Sequence, residues 1–268
     1  MEPGRIRAAA VAGLFYPAQR EQLSAVVDAL LAAIDVAAQA PPKAIIAPHA
    51  GYIYSGSVAA SAYTLLRPLA NVIRRVVLLG PCHHERLRGL ALPAADSFMT
   101  PLGEIPLDKE SVAAALQSPQ VIRREQAHAR EHSLEVHLPF LQRLLDEFSI
   151  VPFAVGQATP DEVAAVLDLL WGGEETLIVI SSDLSHYLGY NDARQRDSNT
   201  VADITRLRSL LDQQQACGVA PINGLIEVAR RRRMQPRLID LRNSGDTAGD
   251  RSRVVGYASI AFHNSADD

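Results

Sequence analysis

The sequence predicts an α/β fold, a single domain with a mostly parallel central sheet covered by helices. Three observations carry this. Apolar runs and longer segments with helical spacing alternate along the chain, as they do where helices pack on a sheet. The runs KAIIA (43–47) and TLIVI (176–180), with 76–79 and 150–155, are nearly apolar throughout, so their strands are covered on both faces. No internal repeat, low-complexity tract or long linker divides the 268 residues, and prolines punctuate the periodic segments.

Taken in order, Ala18 to Ile34 places Leu23, Val26, Val27, Leu30, Leu31 and Ile34 at helical spacing and reads as an amphipathic helix. Lys43 to Ala47 is a buried strand stopped by Pro48, and Ser55 to Leu66 is a helix with Ser55 or Ser57 as its N-cap. Val76 to Leu79 is a second strand, ended by Gly80-Pro81. Gly89 to Leu107 mixes apolar residues with Pro and Gly and reads as a hairpin or irregular strands. Short and long helices follow at Asp108 to Leu116 and Glu131 to Phe148, the latter broken or entered near Pro139. Ile150 to Val155 and Thr176 to Ile180 are strands around a helix at Pro160 to Trp171. Helices at Asp192 to Leu211 and Gly218 to Arg232 precede closing strands at Gln235 to Leu241 and Val254 to Phe262.

Composition narrows the function. Hydrophobic residues make up 48% and charged residues 21%, ordinary for a globular protein, and the net charge of −4 argues against a general nucleic-acid binder. The two cysteines, Cys82 and Cys217, cannot form a disulfide framework and suit a reducing compartment. The apolar run near the N-terminus is shorter than a signal-peptide core, and no stretch approaches the roughly 18 apolar residues of a membrane span. The expected location is the cytoplasm.

Chemistry concentrates just past the strand ends, where ligands bind in such sheets. His49 follows the first buried strand on a turn between Pro48 and Gly51. His83 and His84 follow the second, after Cys82, and spacing alone does not decide which of the three faces a site. Asp183 and His186 follow the strand at 176–180, where a carboxylate near an imidazole fixes its tautomer. His132 and Glu135 share a face if 131–148 is helical from its start, whereas the rest of that segment reads as a solvated helix start. The pattern is not HExxH. Cys217 precedes a helix, where the dipole favours the metal-binding thiolate; a structural cysteine is the plainer reading. Asp246 lies in the turn Asn243-Ser244-Gly245-Asp246, which can bring it near the strand ends. No GxGxxG, Walker A or GxSxG occurs in a useful context, so no nucleotide cofactor is expected.

The segments GLFYP (13–17), APHAGYIYSG (47–56), GPCHH (80–84), DSFMTPLGE (96–104), EHSLEVHLPFLQ (131–142), SSDLSHY (181–187), CGVAPI (217–222) and GYASIAF (256–262), in this order, resemble the Memo family, whose bacterial members are called AmmeMemoRadiSam system protein B. That family is similar to class III extradiol dioxygenases, so the resemblance implies a class III extradiol dioxygenase-like fold. It implies one metal ion held by His49, His83 and Cys217, with Cys217 standing where the dioxygenases have a carboxylate. It also implies an acid/base role for His186 with Asp183 beside it, and His132 lining the pocket. His84, Tyr54, Glu135 and Asp246 complete the expected pocket. Two imidazoles and a thiolate suit Fe(II) or copper, with zinc as the alternative. The implied activity is that of a non-haem oxidoreductase acting on a small molecule or modified residue. Competing expectations are a phosphopeptide-binding module and a zinc hydrolase. A radical-SAM protein and an AMMECR-type protein are the implied partners.

Overall fold

The computed structural model describes residues 4–35 and 40–265. The strands among them are β1 (Ile6–Arg7), β2 (Ala44–Ala47), β3 (Arg75–Pro81), β4 (Leu90–Leu92), β5 (Ser97–Thr100), β6 (Gly103–Pro106), β7 (Val121–Arg123), β8 (Ser149–Val155), β9 (Thr176–Ser181), β10 (His186–Leu188), β11 (Gln235–Asn243) and β12 (Val254–His263). The helices are α1 (Arg20–Ala32), α2 (Tyr52–Tyr63), α3 (Lys109–Ala115), α4 (Gln126–Ala129), α5 (Leu138–Leu144), α6 (Pro160–Leu169), α7 (Tyr190–Thr205), α8 (Val219–Arg231) and α9 (Ser244–Thr247).

The main sheet runs β10-β12-β2-β9-β3-β8-β4-β7, with β11 also paired to β12. Its centre, β2-β9-β3-β8, is parallel throughout. Antiparallel strands flank it, because β12 runs against β2 and β4 runs against β8. The sheet is therefore mixed around a parallel core. Every residue of β2 and β9 is buried, as is every residue of β3 and β8 after the first. Successive strand residues point to opposite faces, so burial at both parities means cover on both sides. Helices α6 and α8 pack together, with α8 against β3 and β9; α2 lies against β2 and β12 and meets α1 and α5. Strands β1, β5 and β6 form a separate small sheet, in which β5 and β6 are the expected hairpin. No helix among the described residues is long and apolar enough to cross a membrane.

Two helices depart from expectation in ways that matter for the site. The second begins at Tyr52, capped by the backbone of Gly51, and neither Ser55 nor Ser57 is its N-cap. The stretch 131–134 is not helical at all; a 3₁₀ turn at Glu135–His137 leads into α5. The cause is local. The Glu131 carboxylate accepts the backbone N–H of Ser133 at 2.9 Å, and such a bond competes with the helical ladder. The helix expected at 192–211 stops at Thr205.

Candidate metal centre

The order of the sheet does what spacing along the chain cannot. β2, β9 and β3 are neighbours, so the segments after their C-terminal ends, which carry His49, Asp183–His186 and His83, lie side by side. The turn at 131–134 joins them beside β3. Gly80 makes this possible, since a Cβ there would stand 2.7 Å from Ser133 Oγ. His49, His83 and His132 each present one ring nitrogen within 4.8 Å of the others. Their rings stand 4.7–5.3 Å apart, with His83 and His132 stacked.

The tautomers follow from hydrogen bonds. Ser181 Oγ donates its one proton to the Ser133 carbonyl at 2.6 Å, so at His49 Nδ1, also 2.6 Å away, it accepts. His49 therefore carries its proton on Nδ1 and offers the lone pair of Nε2. His83 Nδ1 lies 2.9 Å from Glu131 Oε1, and a carboxylate only accepts, so His83 also offers Nε2. Burial pushes the Glu131 carboxyl upward, but hydrogen bonds from the His83 ring, the His83 N–H and Ser133 outweigh it and hold it down at about 2. Burial pushes His49 well below the ordinary imidazole range and His132 to about 4, so both are neutral at pH 7.

Cys217 approaches His49 from another direction, but among the described residues the ligand atoms that all lie within 4.8 Å of one another are those of His49, His83 and His132, without the expected Cys217. Gly218 is the N-cap of α8 and packs tightly on the turn after β9; a Cβ there would meet the Ser181 carbonyl oxygen at 2.7 Å. Its N–H donates to Ser182 Oγ at 2.9 Å, and the Asp183 N–H points at Cys217 Sγ at 3.3 Å. Sγ stands 3.4 Å from His49 Nε2. Two ligands bound to one ion at about 2.0 and about 2.3 Å with a tetrahedral angle stand about 3.5 Å apart, so the pair fits a shared metal. The expected helix-dipole activation of the free thiol does not prevail. Burial and the neighbouring Asp183 push it up to about 12, so a metal ion is what would draw off the proton.

Several expected site residues have other roles. Asp183 is buried, but its carboxylate accepts the His49 N–H at 2.7 Å and clamps the β2 end to the β9 end. Burial raises it to about 7. The tautomer of His186 is set by the Leu184 carbonyl at 2.9 Å from Nδ1, because 183–186 is not helical and Asp183 turns to His49 instead. Glu135 spends both oxygens elsewhere: it is salt-bridged to Arg7 and accepts from Ala10 N, Val11 N and the Tyr16 hydroxyl. It thus ties down residues 7–16 and places Phe15 4.7 Å from the His132 ring, outside the pocket expected for it. Asp246 caps α9 through Asn243 N and accepts from Tyr190, the plain turn role. His84 is exposed with its ring 6.3 Å from that of His132, and Tyr54 is exposed in the first turn of α2. Cys82 Sγ lies 3.6 Å from the Glu85 carbonyl and packs beside Leu87, Ala91, Ala127 and Ala154.

Glu131, Ser133 and Ser181 are the residues that sequence reasoning missed. Glu131 read as part of a solvated helix face, yet its side chain is 1% exposed. Ser181 had a signal, a hydroxyl directly after the nearly apolar run 176–180. A cleft of about 580 Å³ opens beside the centre, lined by Cys82, His83, His186, Tyr187, Arg196 and Cys217 among others.

Residues 7–261 match the family model described as Memo-like protein. A MEMO1 family protein of Aquifex aeolicus is 38% identical over 96% of this chain and 99% of its own length. One of Archaeoglobus fulgidus is 36% identical over 94% of this chain and 97% of its own length. The crystal structure of an uncharacterized protein from Escherichia coli K12 superposes with a TM-score of 0.51 at 13% identity, covering 82% of this chain and 99% of that one, a likeness of fold alone. With the family model spanning nearly the whole sequence and these full-length relatives, the chain belongs to the Memo-like protein family.

Proposed function

We propose that this protein is a metal-dependent, dioxygenase-like oxidoreductase acting on a small molecule or modified residue. The observation that carries the reading is the paired orientation of His49 and His83. Each ring has its Nδ1 committed to a fixed acceptor, Ser181 or Glu131, which leaves its Nε2 free, and His49 Nε2 stands 3.4 Å from Cys217 Sγ. His49, His83 and Cys217 would hold the ion, with His132 alongside as a pocket wall or fourth donor. Bound Fe(II) or copper would supply one-electron and dioxygen chemistry, and zinc would supply Lewis acidity instead.

The protein's own residues do the rest. His186 lines the cleft with His83 and Cys217. Its Nδ1 proton is held by Leu184, and burial keeps the ring neutral, so Nε2 is a base ready to take a proton from a bound ligand. Phe15 packs against the His132 ring, 4.7 Å between centroids. Asp183 keeps the His49 turn and the Cys217 turn together.

Element analysis of protein purified without added metal is the first test. Anaerobic loading with Fe(II) or copper, followed by exposure to dioxygen with candidate catechols and thiols, is the second. Oxygen consumption that depends on both metal and candidate supports the reading. Activity with zinc and no oxygen would move the assignment to a hydrolase, and no oxygen consumption with any candidate would remove the oxidoreductase reading.

A further inference from the structure

Strand β1 is folded against its own hydrophobicity. Ile6 is 50% exposed, whereas Arg7 beside it is 4% exposed and is the one buried arginine among the described residues. Neighbouring strand residues face opposite ways, so a slip of one residue would bury the isoleucine and free the guanidinium. What holds the register is the set of groups around Arg7. β1 pairs with β5 so that Arg7 stands opposite Phe98, and the guanidinium lies over that ring, 4.7 Å from its centroid. Nε donates to the His128 carbonyl at 2.8 Å and Nη2 to the Glu131 carbonyl at 2.7 Å. Nη1 is salt-bridged to Glu135 and donates to the Ala8 carbonyl at 3.4 Å.

The two main-chain carbonyls lie on the segment that serves the metal centre. His128 is near the end of α4, and the chain then leaves the helix for the turn that begins at Glu131. Glu131 is held from both sides. Arg7 grips its carbonyl, while its carboxylate accepts the His83 N–H at 2.7 Å, the His83 Nδ1–H at 2.9 Å and the Ser133 N–H at 2.9 Å. A chain of direct hydrogen bonds thus runs from β1 to a candidate metal-binding imidazole. An ion pair as deep as that of Arg7 and Glu135 is weak evidence for stability, because both charges lose their water and apolar residues of similar volume often serve as well. Its effect here is geometric. A planar fork with fixed donor directions meets two carbonyls three residues apart only when the turn between them has one shape.

We propose that Arg7 is a positioning residue of the metal centre: its grip on the His128 and Glu131 carbonyls sets where the Glu131 carboxylate stands, and through that carboxylate it sets the His83 imidazole. The proposal rests on the reading of this site as a metal centre. Arg7 acts through the turn and not on the ion, so its influence shows in how tightly and in what geometry an ion is held.

The test uses R7K in the full chain. Lysine keeps the positive charge beside Glu135 but replaces the fork by a single ammonium, which cannot meet both carbonyls as the planar group does. Cobalt(II) is titrated into chelator-treated protein against a competing chelator. R7K is expected to bind it about tenfold or more weakly than wild type, with shifted ligand-field bands. In metal-free R7K the His83 and Ser133 N–H groups, both held by Glu131, should exchange with solvent about tenfold or more faster, while the amides of β2 and β9 keep their rates. A double variant locates the effect: added to E131Q, R7K should weaken cobalt binding by less than about a further twofold, because both changes act on one link. The proposal is overturned if R7K binds cobalt within about twofold of wild type with an unshifted spectrum, or if the R7K and E131Q losses multiply. It is equally overturned if exchange quickens throughout the central sheet or R7K does not fold, since Arg7 would then be a structural residue. Wild-type protein that takes up no cobalt would remove the metal-centre reading itself and this proposal with it, an outcome distinct from equal binding by both proteins.

Discussion

Glu131 and His83 are joined twice: one carboxylate oxygen accepts the His83 backbone N–H at 2.7 Å and the other accepts the ring Nδ1–H at 2.9 Å. One buried side chain therefore fixes both the position and the tautomer of an imidazole of the candidate metal centre. The E131Q variant keeps the shape but puts a neutral amide where the carboxylate accepts the His83 Nδ1–H. Its metal affinity is expected to fall by about 10- to 100-fold, read by titration against a competing chelator. Affinity within about twofold of wild type would show that the pair is structural only.

Ser181 plays the same part for His49 through a neutral hydroxyl. S181A leaves the His49 Nδ1–H and the Ser133 carbonyl without their partner inside a buried site. The expected cost is about 1–3 kcal/mol of stability, measured by denaturant unfolding of the metal-free protein, together with weaker metal binding. A variant as stable as wild type would mean that water replaces the hydroxyl.

The two cysteines separate cleanly. Cys217 Sγ is 3.4 Å from His49 Nε2, whereas Cys82 Sγ lies against the Glu85 carbonyl. Cobalt or copper loading should give a sulfur-to-metal charge-transfer band that C217S abolishes and C82S retains. The reverse pattern would assign the thiolate to Cys82.

Gly218 sets how close α8 comes to β9. In G218A the new methyl would press on the Ser181 carbonyl oxygen at 2.7 Å and on Ser182, so the helix start must shift and carry Cys217 with it. Stability is expected to drop by about 1–3 kcal/mol, with loss of the charge-transfer band even where the fold survives. A normal band at normal metal affinity would contradict the close-approach argument.

The metal-free protein should lose stability in mild acid. Burial lowers His132 and His128 to about 4 and His137 to about 3, and lowers His49 as well. Between pH 4 and the ordinary imidazole value near 6.5 the unfolded chain binds protons that the folded one refuses, so stability is lost as pH falls below about 6.5. Asp183, raised to about 7 by burial, acts the opposite way, because its folded form binds the extra proton and its contribution falls as pH rises towards 7. With His186 and His263 also lowered and Asp197 also raised, six imidazoles act against two carboxyls among the described residues, and each tenfold change in a group's proton affinity on folding counts for about 1.4 kcal/mol, so the balance is a net loss in acid. Melting temperatures in chelator from pH 7.5 to 4.5 should therefore decline, and a flat profile would show that these rings are hydrated.

Much of this was written in the sequence. The apolar runs at 43–47, 76–79, 150–155 and 176–180 mark the parallel strands, because a strand covered on both faces has no polar side to show. The positions of His49, His83 and His186 just past strand ends mark where a site would be, and the ordered motifs mark the family. What the sequence does not contain is strand order. Placing β9 between β2 and β3 makes distant segments adjacent, and only long-range pairing decides that. For the same reason Glu131 looked like a solvated charge and Asp183 like a partner of His186. A side chain takes its partner from what packs against it in space: for Glu131 that is the end of β3, and for Asp183 the end of β2.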